Sequence, residues 1–296
     1  MKAITILDGA MGSELESRGI NLPPPLWSAG VLFSEAEAIV KLHREYAEAG
    51  AEILTAATFR ATRYAFNRSG KKNPDLEAKK AIQQAITLAK SVASAFPGVL
   101  VAGSIAPCGD SYRFEDFPGE KEAKKNYQHL IENLEQAGAD LLLLETFGRF
   151  DESAIALKIA RQSKLPLWFS IILKDEQTLP DGSHIQDILE LANKFSADAF
   201  LINCSSPIHI EAAIPILLNS QAAPRFGAYP NAGISDPFSN EPLKKSLSPA
   251  RFADILKCWA DLGLDILGGC CGSSPVHISE FVNRYNKEKK NDHHKN

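Results

Sequence analysis

Three cysteines offer the most distinctive chemistry in this chain: Cys204 and the adjacent Cys270 and Cys271. Thiolates are soft ligands, and three of them brought to one place would suit zinc. The same residues have other readings. Cysteine packs well as a small buried hydrophobe, and neighbouring cysteines in a strand point to opposite faces or close a strained disulfide. No Cys-x-x-Cys spacing occurs, which excludes a zinc ribbon or finger. Gly268, Gly269 and Gly272 flank the pair and permit the turns that would let two adjacent thiols aim at one ion.

Two carboxylates come next. Glu145 directly follows four leucines, Leu141 to Leu144. A carboxylate at the end of an apolar run is costly unless it finds a partner. It reads either as half of a buried ion pair or as the anchor for a substrate ammonium. Asp8 stands before Gly9 in a similar position, either as a turn-forming side chain or as a substrate ligand. Histidine is poorly placed by comparison: His43, His129, His209 and His277 fall in helical stretches and His184 in a loop. That gives a histidine-ligated hydrolase little support. Cys108 reads as a free thiol and Cys258 as a packing residue of a helix.

The elements that must position these groups alternate regularly. Eight short apolar runs read as strands: Ile4–Ala10, Glu52–Thr58, Val99–Pro107, Asp140–Thr146, Pro166–Leu173, Ala199–Cys204, Arg225–Pro230 and Asp265–Cys270. Such runs fit strands buried on both faces of a parallel sheet. Helices between them carry start signals. Ser13–Glu16 and Ser34–Glu37 read as capping boxes, and Asn73-Pro74, Ser248-Pro249 and Ser274-Pro275 as caps before an N-terminal proline. Gly19, Gly50, Gly138 and Gly263 sit where helices should stop. Leu76, Ala81, Ile82, Ala85, Ile86, Ala89 and Val92 form a helical stripe.

Eight β/α alternations without a linker predict an α/β fold, a single-domain (β/α)8 TIM barrel over residues 1–288 with a polar tail over 289–296. An open doubly wound sheet is the competing architecture. It would carry a G-x-G-x-x-G loop after the first strand, and Asp8-Gly-Ala-Met-Gly12 lacks that spacing. Barrel sites gather at the C-terminal ends of the strands. Those ends carry Asp8 and Gly9, Thr58 with Phe59 and Arg60, Ser104 and Cys108, Glu145, Ser170, Asn203 and Cys204, Tyr229, and Cys270 with Cys271. Strands six and eight are two apart around a closed ring, so a metal could bridge their cysteines.

Composition narrows the function class. The 296 residues are 45% hydrophobic and 23% charged with net charge −4, which excludes disorder and argues against a nucleic-acid footprint. No apolar run approaches the roughly 18 residues of a membrane span, and Asp8 interrupts the one N-terminal run that could open a secretory signal. An odd cysteine count, five, argues against a disulfide framework and for the reducing cytoplasm. The partners expected are small molecules. Oligomeric state is not legible.

Taken together, several motifs resemble the homocysteine S-methyltransferases and the homocysteine module of cobalamin-dependent methionine synthase. They are Leu7-Asp-Gly-Ala-Met-Gly-Ser-Glu-Leu, Ala102-Gly-Ser-Ile-Ala-Pro107, Leu144-Glu-Thr146, Ile202-Asn-Cys-Ser-Ser-Pro207, Tyr229-Pro-Asn231 and Gly268-Gly-Cys-Cys-Gly-Ser-Ser-Pro275. The resemblance implies a zinc-dependent barrel with one Zn2+ per chain, held by Cys204, Cys270 and Cys271. It implies that Glu145 takes the homocysteine amino group. Asp8, Gly9, Thr58, Ser104, Asn203 and Tyr229 would line the substrate site. No catalytic group is implied beyond the substrate thiolate that zinc activates.

Two segments depart from the family pattern. Phe59-Arg60 stands where many relatives carry Tyr-Gln, and Pro107-Cys-Gly109 where Pro-Tyr-Gly is common. Both lie at the rim, and Arg60 is expected to pair with an acidic side chain or a substrate carboxylate. Betaine-using relatives carry a long C-terminal extension, and cobalamin or folate donors arrive on further domains. The expected donor is therefore S-methylmethionine or S-adenosylmethionine, and the product methionine. The alternatives are another donor such as betaine, another thiol or selenol acceptor, a zinc hydrolase on the same barrel, and a non-catalytic zinc- or homocysteine-binding protein.

Overall fold

Eight short strands, all parallel, form one sheet in a computed structural model that describes residues 4–233 and 247–293. They are β1 (Thr5–Ile6), β2 (Ile53–Thr55), β3 (Leu100–Ile105), β4 (Leu141–Phe147), β5 (Leu167–Ile171), β6 (Ala199–Asn203), β7 (Phe226–Tyr229) and β8 (Ile266–Leu267). Each pairs with its neighbours in sequence, and β1 pairs with β8. A parallel bridge between Leu7 and Ile53 joins β1 to β2 and completes the ring. The expected (β/α)8 barrel is therefore the fold.

Ten α-helices among the described residues surround the ring. They are α1 (Gly12–Ser17), α2 (Ala36–Glu48), α3 (Arg63–Arg68), α4 (Pro74–Ala93) and α5 (Glu120–Ala137). The second half supplies α6 (Phe150–Ala160), α7 (Ile185–Lys194), α8 (Pro207–Asn219), α9 (Pro249–Leu262) and α10 (Pro275–His293). No helix is long and apolar enough to cross a membrane among the described residues. The stretch read as a polar tail, 289–296, is helical as far as His293.

Alternation along each strand divides the apolar residues into two cores. Ala102, Leu141, Leu143, Trp168, Ala199 and Leu201 pack inside the barrel. Leu142, Leu144, Phe169, Phe200 and Ile202 face the helices, where Phe147, Phe169 and Phe200 form a chain of edge-to-face rings. Such pairs add about 0.5–1.5 kcal/mol each beyond area burial.

The opposite end of the barrel, where the strands begin, repeats one device. The acidic residue just before each even strand accepts a backbone N–H from the odd strand beside it. Glu52 takes Ile6 at 3.0 Å, Asp140 takes Val101 at 2.7 Å, Asp198 takes Leu167 at 2.7 Å and Asp265 takes Phe226 at 3.2 Å. Each acid satisfies a strand-end donor that the ladder leaves open.

Several local expectations need correction. Neither capping box forms: α1 begins after Met11 and α2 after Glu35, both without a side-chain cap. The Ser13 hydroxyl instead accepts the Gly272 N–H from across the barrel mouth, and Ser34 donates to the Val31 carbonyl. Asn73 precedes α4 without a capping bond, and the Ser274 hydroxyl meets His277 Nδ1 at 2.8 Å. Ser248 caps α9 as expected, accepting from Arg251 N–H. Gly138 and Gly263 end α5 and α9 in the left-handed conformation. Leu76 leaves the stripe and is 48% exposed, while Ala78 is fully buried. β2 stops at Thr55, three residues short of Thr58, and Cys258 is exposed rather than packed.

Candidate functional site

The inward parity of the strands carries a polar layer onto the apolar interior. Above Ile53, Ala102, Leu143, Trp168 and Leu201 come Thr55, Ser104, Glu145, Ser170 and Asn203, two residues further along each strand. Tyr229 of β7 joins this layer. Glu145 therefore points into the mouth because Leu141 and Leu143 point into the barrel.

One Glu145 oxygen accepts from the Ser104 hydroxyl, and the other from Tyr229 Oη at 3.2 Å. Burial pushes the carboxyl up to about 7, with the Ser104 bond opposing and the charge at Cys204 reinforcing the shift. Asp8 accepts from Thr55 N–H at 2.7 Å and from its hydroxyl at 2.8 Å. Burial raises Asp8 to about 7 as well, against the Thr55 bonds and with help from Glu145. Among the described residues neither carboxyl has a cationic partner, so the ion-pair reading of Glu145 does not hold there. Two buried carboxyls held by neutral donors are complementary to a cation supplied from outside.

The three sulfurs converge on the same mouth. Cys204 follows β6 in a left-handed conformation, φ 48°. Its carbonyl accepts from Tyr112 Oη and from Asn231 Nδ2, both at 3.1 Å. Cys270 and Cys271 lie beyond β8 rather than within it, so the opposite-face rule for strands does not apply. Gly272 takes φ 78°, where a side chain would be strained. Cys204 Sγ lies 2.6 Å from Cys270 Sγ and 3.5 Å from Cys271 Sγ, and all five cysteines are free thiols. Hydrogen bonds from Cys204 and Cys270 hold the Cys271 thiol well below the usual range.

These atoms could hold one metal ion. Zinc–sulfur bonds of about 2.3 Å place tetrahedral ligands roughly 3.7 Å apart. The Cys204–Cys271 pair is close to that spacing already, and the Cys204–Cys270 pair must open to reach it. Three soft donors from two strand ends fit zinc in kind and number.

The remaining site residues take various places. Asn203 Oδ1 accepts from Thr146 N–H at 3.0 Å and Ser170 Oγ at 2.8 Å. Its Nδ2 donates to Thr146 Oγ1 at 2.9 Å and reaches Cys270 Sγ at 4.0 Å. Thr58 ties its hydroxyl to the Ser104 carbonyl at 2.8 Å, so it braces β3 while Thr55 meets Asp8. Gly9 allows two loops to meet: a Cβ there would stand 2.7 Å from Ser273 Oγ and Tyr46 Oη.

Of the two partners expected for Arg60, an acidic side chain or a substrate carboxylate, the first is not found among the described residues. Arg60 Nη1 instead donates to the Pro107 and Gly109 carbonyls at 2.8 Å each, and the guanidinium lies over Phe59. Cys108 is buried, its thiol pushed up by burial. The sequence does not single out Thr55 or Tyr112, and it places Thr146, Ser170 and Asn231 at strand ends without a role. Parity within β2 marks Thr55 and parity within β5 marks Ser170; nothing in the spacing marks Tyr112 or Asn231.

Residues 5–285 match the profile of a family described as homocysteine S-methyltransferase. The chain is 32% identical to the homocysteine S-methyltransferase of Escherichia coli (strain K12), across 95% of each protein. It is 27% identical to a selenocysteine Se-methyltransferase of Brassica oleracea var. italica, across 94% of this chain and 88% of that one. The crystal structure of the homocysteine methyltransferase MmuM from Escherichia coli, in its metallated form, superposes with a TM-score of 0.83 at 30% identity. The match covers 96% of each chain.

Proposed function

We infer the reaction from one premise: the chain belongs to the homocysteine S-methyltransferase family. Methyl transfer to homocysteine is the activity that membership supports. In our reading the donor is a sulfonium compound, S-methylmethionine ahead of S-adenosylmethionine, and the product is methionine.

One observation carries this reading: three cysteine sulfurs and a buried carboxyl without a cationic partner among the described residues face the same mouth. Glu145, with Ser104 and Tyr229 fixing its two oxygens, takes the homocysteine ammonium. Asp8, held by Thr55, adds a second carboxyl to the adjoining wall. Cys204, Cys270 and Cys271 would hold the metal, which we take to be zinc. When bound, zinc supplies Lewis-acid chemistry, keeping a thiol as its thiolate at neutral pH.

The transfer itself is a displacement at carbon. A bond forms between the homocysteine sulfur and the methyl carbon as the donor's sulfur–carbon bond breaks. The electron pair of the broken bond stays on the departing sulfur, which leaves as a neutral thioether; the thiol proton passes to solvent. No base acts on the methyl group, so this chain contributes orientation and field. Arg60 donates through Nη1 to the Pro107 and Gly109 carbonyls, which ties part of its guanidinium to the loop after β3. A selenol acceptor is the second reading, favoured by the soft sulfur cluster. Reduced thiols of this kind fit a reducing compartment, and we place the protein in the cytoplasm.

The test is a donor panel with homocysteine and zinc-loaded protein, with methionine measured by mass. S-Methylmethionine is expected to give the highest kcat/KM. Betaine exceeding both sulfonium donors overturns the donor assignment, and no methionine from any donor overturns the function.

A further inference from the structure

Thr146 and Cys204 both adopt left-handed backbone conformations, φ 67° and 48°, at the ends of strands four and six. For a β-branched residue such as Thr146 this is a strained state that persists only when its surroundings enforce it. It follows Glu145 directly, and the register between β4 and β5 breaks between Leu144 and Phe147. The direction of the Glu145 carboxyl therefore depends on whatever holds Thr146.

The side chain of Asn203 holds it. Asn203 and Thr146 are both buried, and the amide grips Thr146 twice, once at its N–H and once at its hydroxyl. The Thr146 N–H can only donate, which fixes the amide oxygen toward it and the nitrogen toward Thr146 Oγ1 and Cys270. With Ser170 on the oxygen and Cys270 Sγ on the nitrogen, all four hydrogen-bonding positions of the amide are occupied. Nothing remains on it for a substrate.

We propose that Asn203 is a positioning residue rather than a substrate ligand. It straps Thr146 into its left-handed conformation, thereby aiming Glu145, and links that strap to Cys270 of the sulfur cluster. The proposal rests on the reading of Glu145 as the anchor of the homocysteine ammonium. One side chain then sets both ends of the acceptor site, the carboxyl that takes the nitrogen and the cysteine group that receives the sulfur.

The test has two arms. In crystals of Asn203→Ala, Thr146 is expected to leave the left-handed region and Glu145 to part from Ser104 and Tyr229; an unchanged Thr146 and Glu145 overturns the proposal. This arm needs no substrate. In the second arm, calorimetry measures homocysteine binding to zinc-loaded protein. Asn203→Ala is expected to weaken binding at least tenfold. Adding Thr146→Gly should recover most of that loss, because glycine adopts positive φ without a strap. Thr146→Val, which keeps Asn203 but loses the hydroxyl, is expected to bind more weakly than Thr146→Gly. A double variant as weak as Asn203→Ala, with zinc content intact, overturns the proposal. If the parent protein binds no homocysteine, the functional reading fails, and the crystallographic arm still decides the role of Asn203.

Discussion

Glu145 changes charge near neutral pH, and that has a measurable consequence under the proposed function. Only its carboxylate can accept from a substrate ammonium. Below pH 7 a proton competes, and affinity should fall about tenfold per pH unit from this group alone. Loss of the substrate thiol proton on binding adds a further tenfold per unit across the whole range. The plot of log Kd against pH is therefore expected to steepen below about 7. Glu145→Gln should reduce the steepening to the part that Asp8 contributes and weaken binding by about 1.5–3 kcal/mol, the scale of a charged hydrogen bond. Calorimetry from pH 5.5 to 8.5 measures both; a slope that Glu145→Gln leaves unaltered would return this residue to a structural role. The three sulfurs give a second expectation. Alanine at Cys204, Cys270 or Cys271 should each lower zinc content, from about one per chain in the parent, and abolish methionine formation. Metal analysis beside the assay tests this, and full turnover by a zinc-free variant contradicts it.

At the scale of the element, helix α2 carries an ionisable group with no visible task. His43 is fully buried, and neither ring nitrogen has a hydrogen-bond partner among the described residues. Burial lowers its pKa to about 4 from the ordinary 6.5. The unfolded chain takes up a proton below pH 6.5 while the folded chain refuses it until about pH 4. Its contribution to stability is thus full above 6.5 and lost as the pH falls toward 4. Asp8 and Glu145, with raised values, act in the opposite direction, so the comparison needs a variant. His43→Leu is expected to gain about 2 kcal/mol on the parent between pH 7.5 and pH 5. Denaturant unfolding at the two pH values measures that difference, and equal pH dependence in both proteins refutes it.

The same scale shows what sequence made legible. All eight strands fall where short apolar runs stood, because a strand buried on both faces needs an unbroken run. Glu145 was found because a charge after four leucines has no cheap explanation. The capping boxes misled because capping motifs are local, whereas Ser13 is engaged by Gly272 from the other end of the chain. The run that ends in Thr58 looks continuous in sequence, but β2 ends at Thr55, and parity within the strand sets Thr55 beside Asp8. Asn203 stands at the end of its apolar run, but its bonds to strands four and five and to Cys270 depend on the closed ring. Tyr112 and Asn231 reach Cys204 from loops, and loops carry no periodicity to read.

Considered whole, the barrel separates its tasks between its two ends. The end where strands finish holds strained backbone, buried carboxyls and free thiols. The end where they start holds the acids that receive neighbouring N–H groups. Asp198→Ala should therefore lower stability by about 1–2 kcal/mol while homocysteine affinity stays at the parent value. A large loss of affinity without loss of stability would contradict that division. These acids also count the ring differently from its eight strands. Each joins the second strand of a pair to the first, β2 to β1, β4 to β3, β6 to β5 and β8 to β7. The circle is in this respect four repeated quarters, as a barrel whose layers come from alternate strands requires. A chain cut between residues 163 and 164 keeps every acid with its own partner, so each half brings its register marks into reassembly. A cut between residues 195 and 196 parts Asp198 from Leu167, and those halves must find their alignment without it.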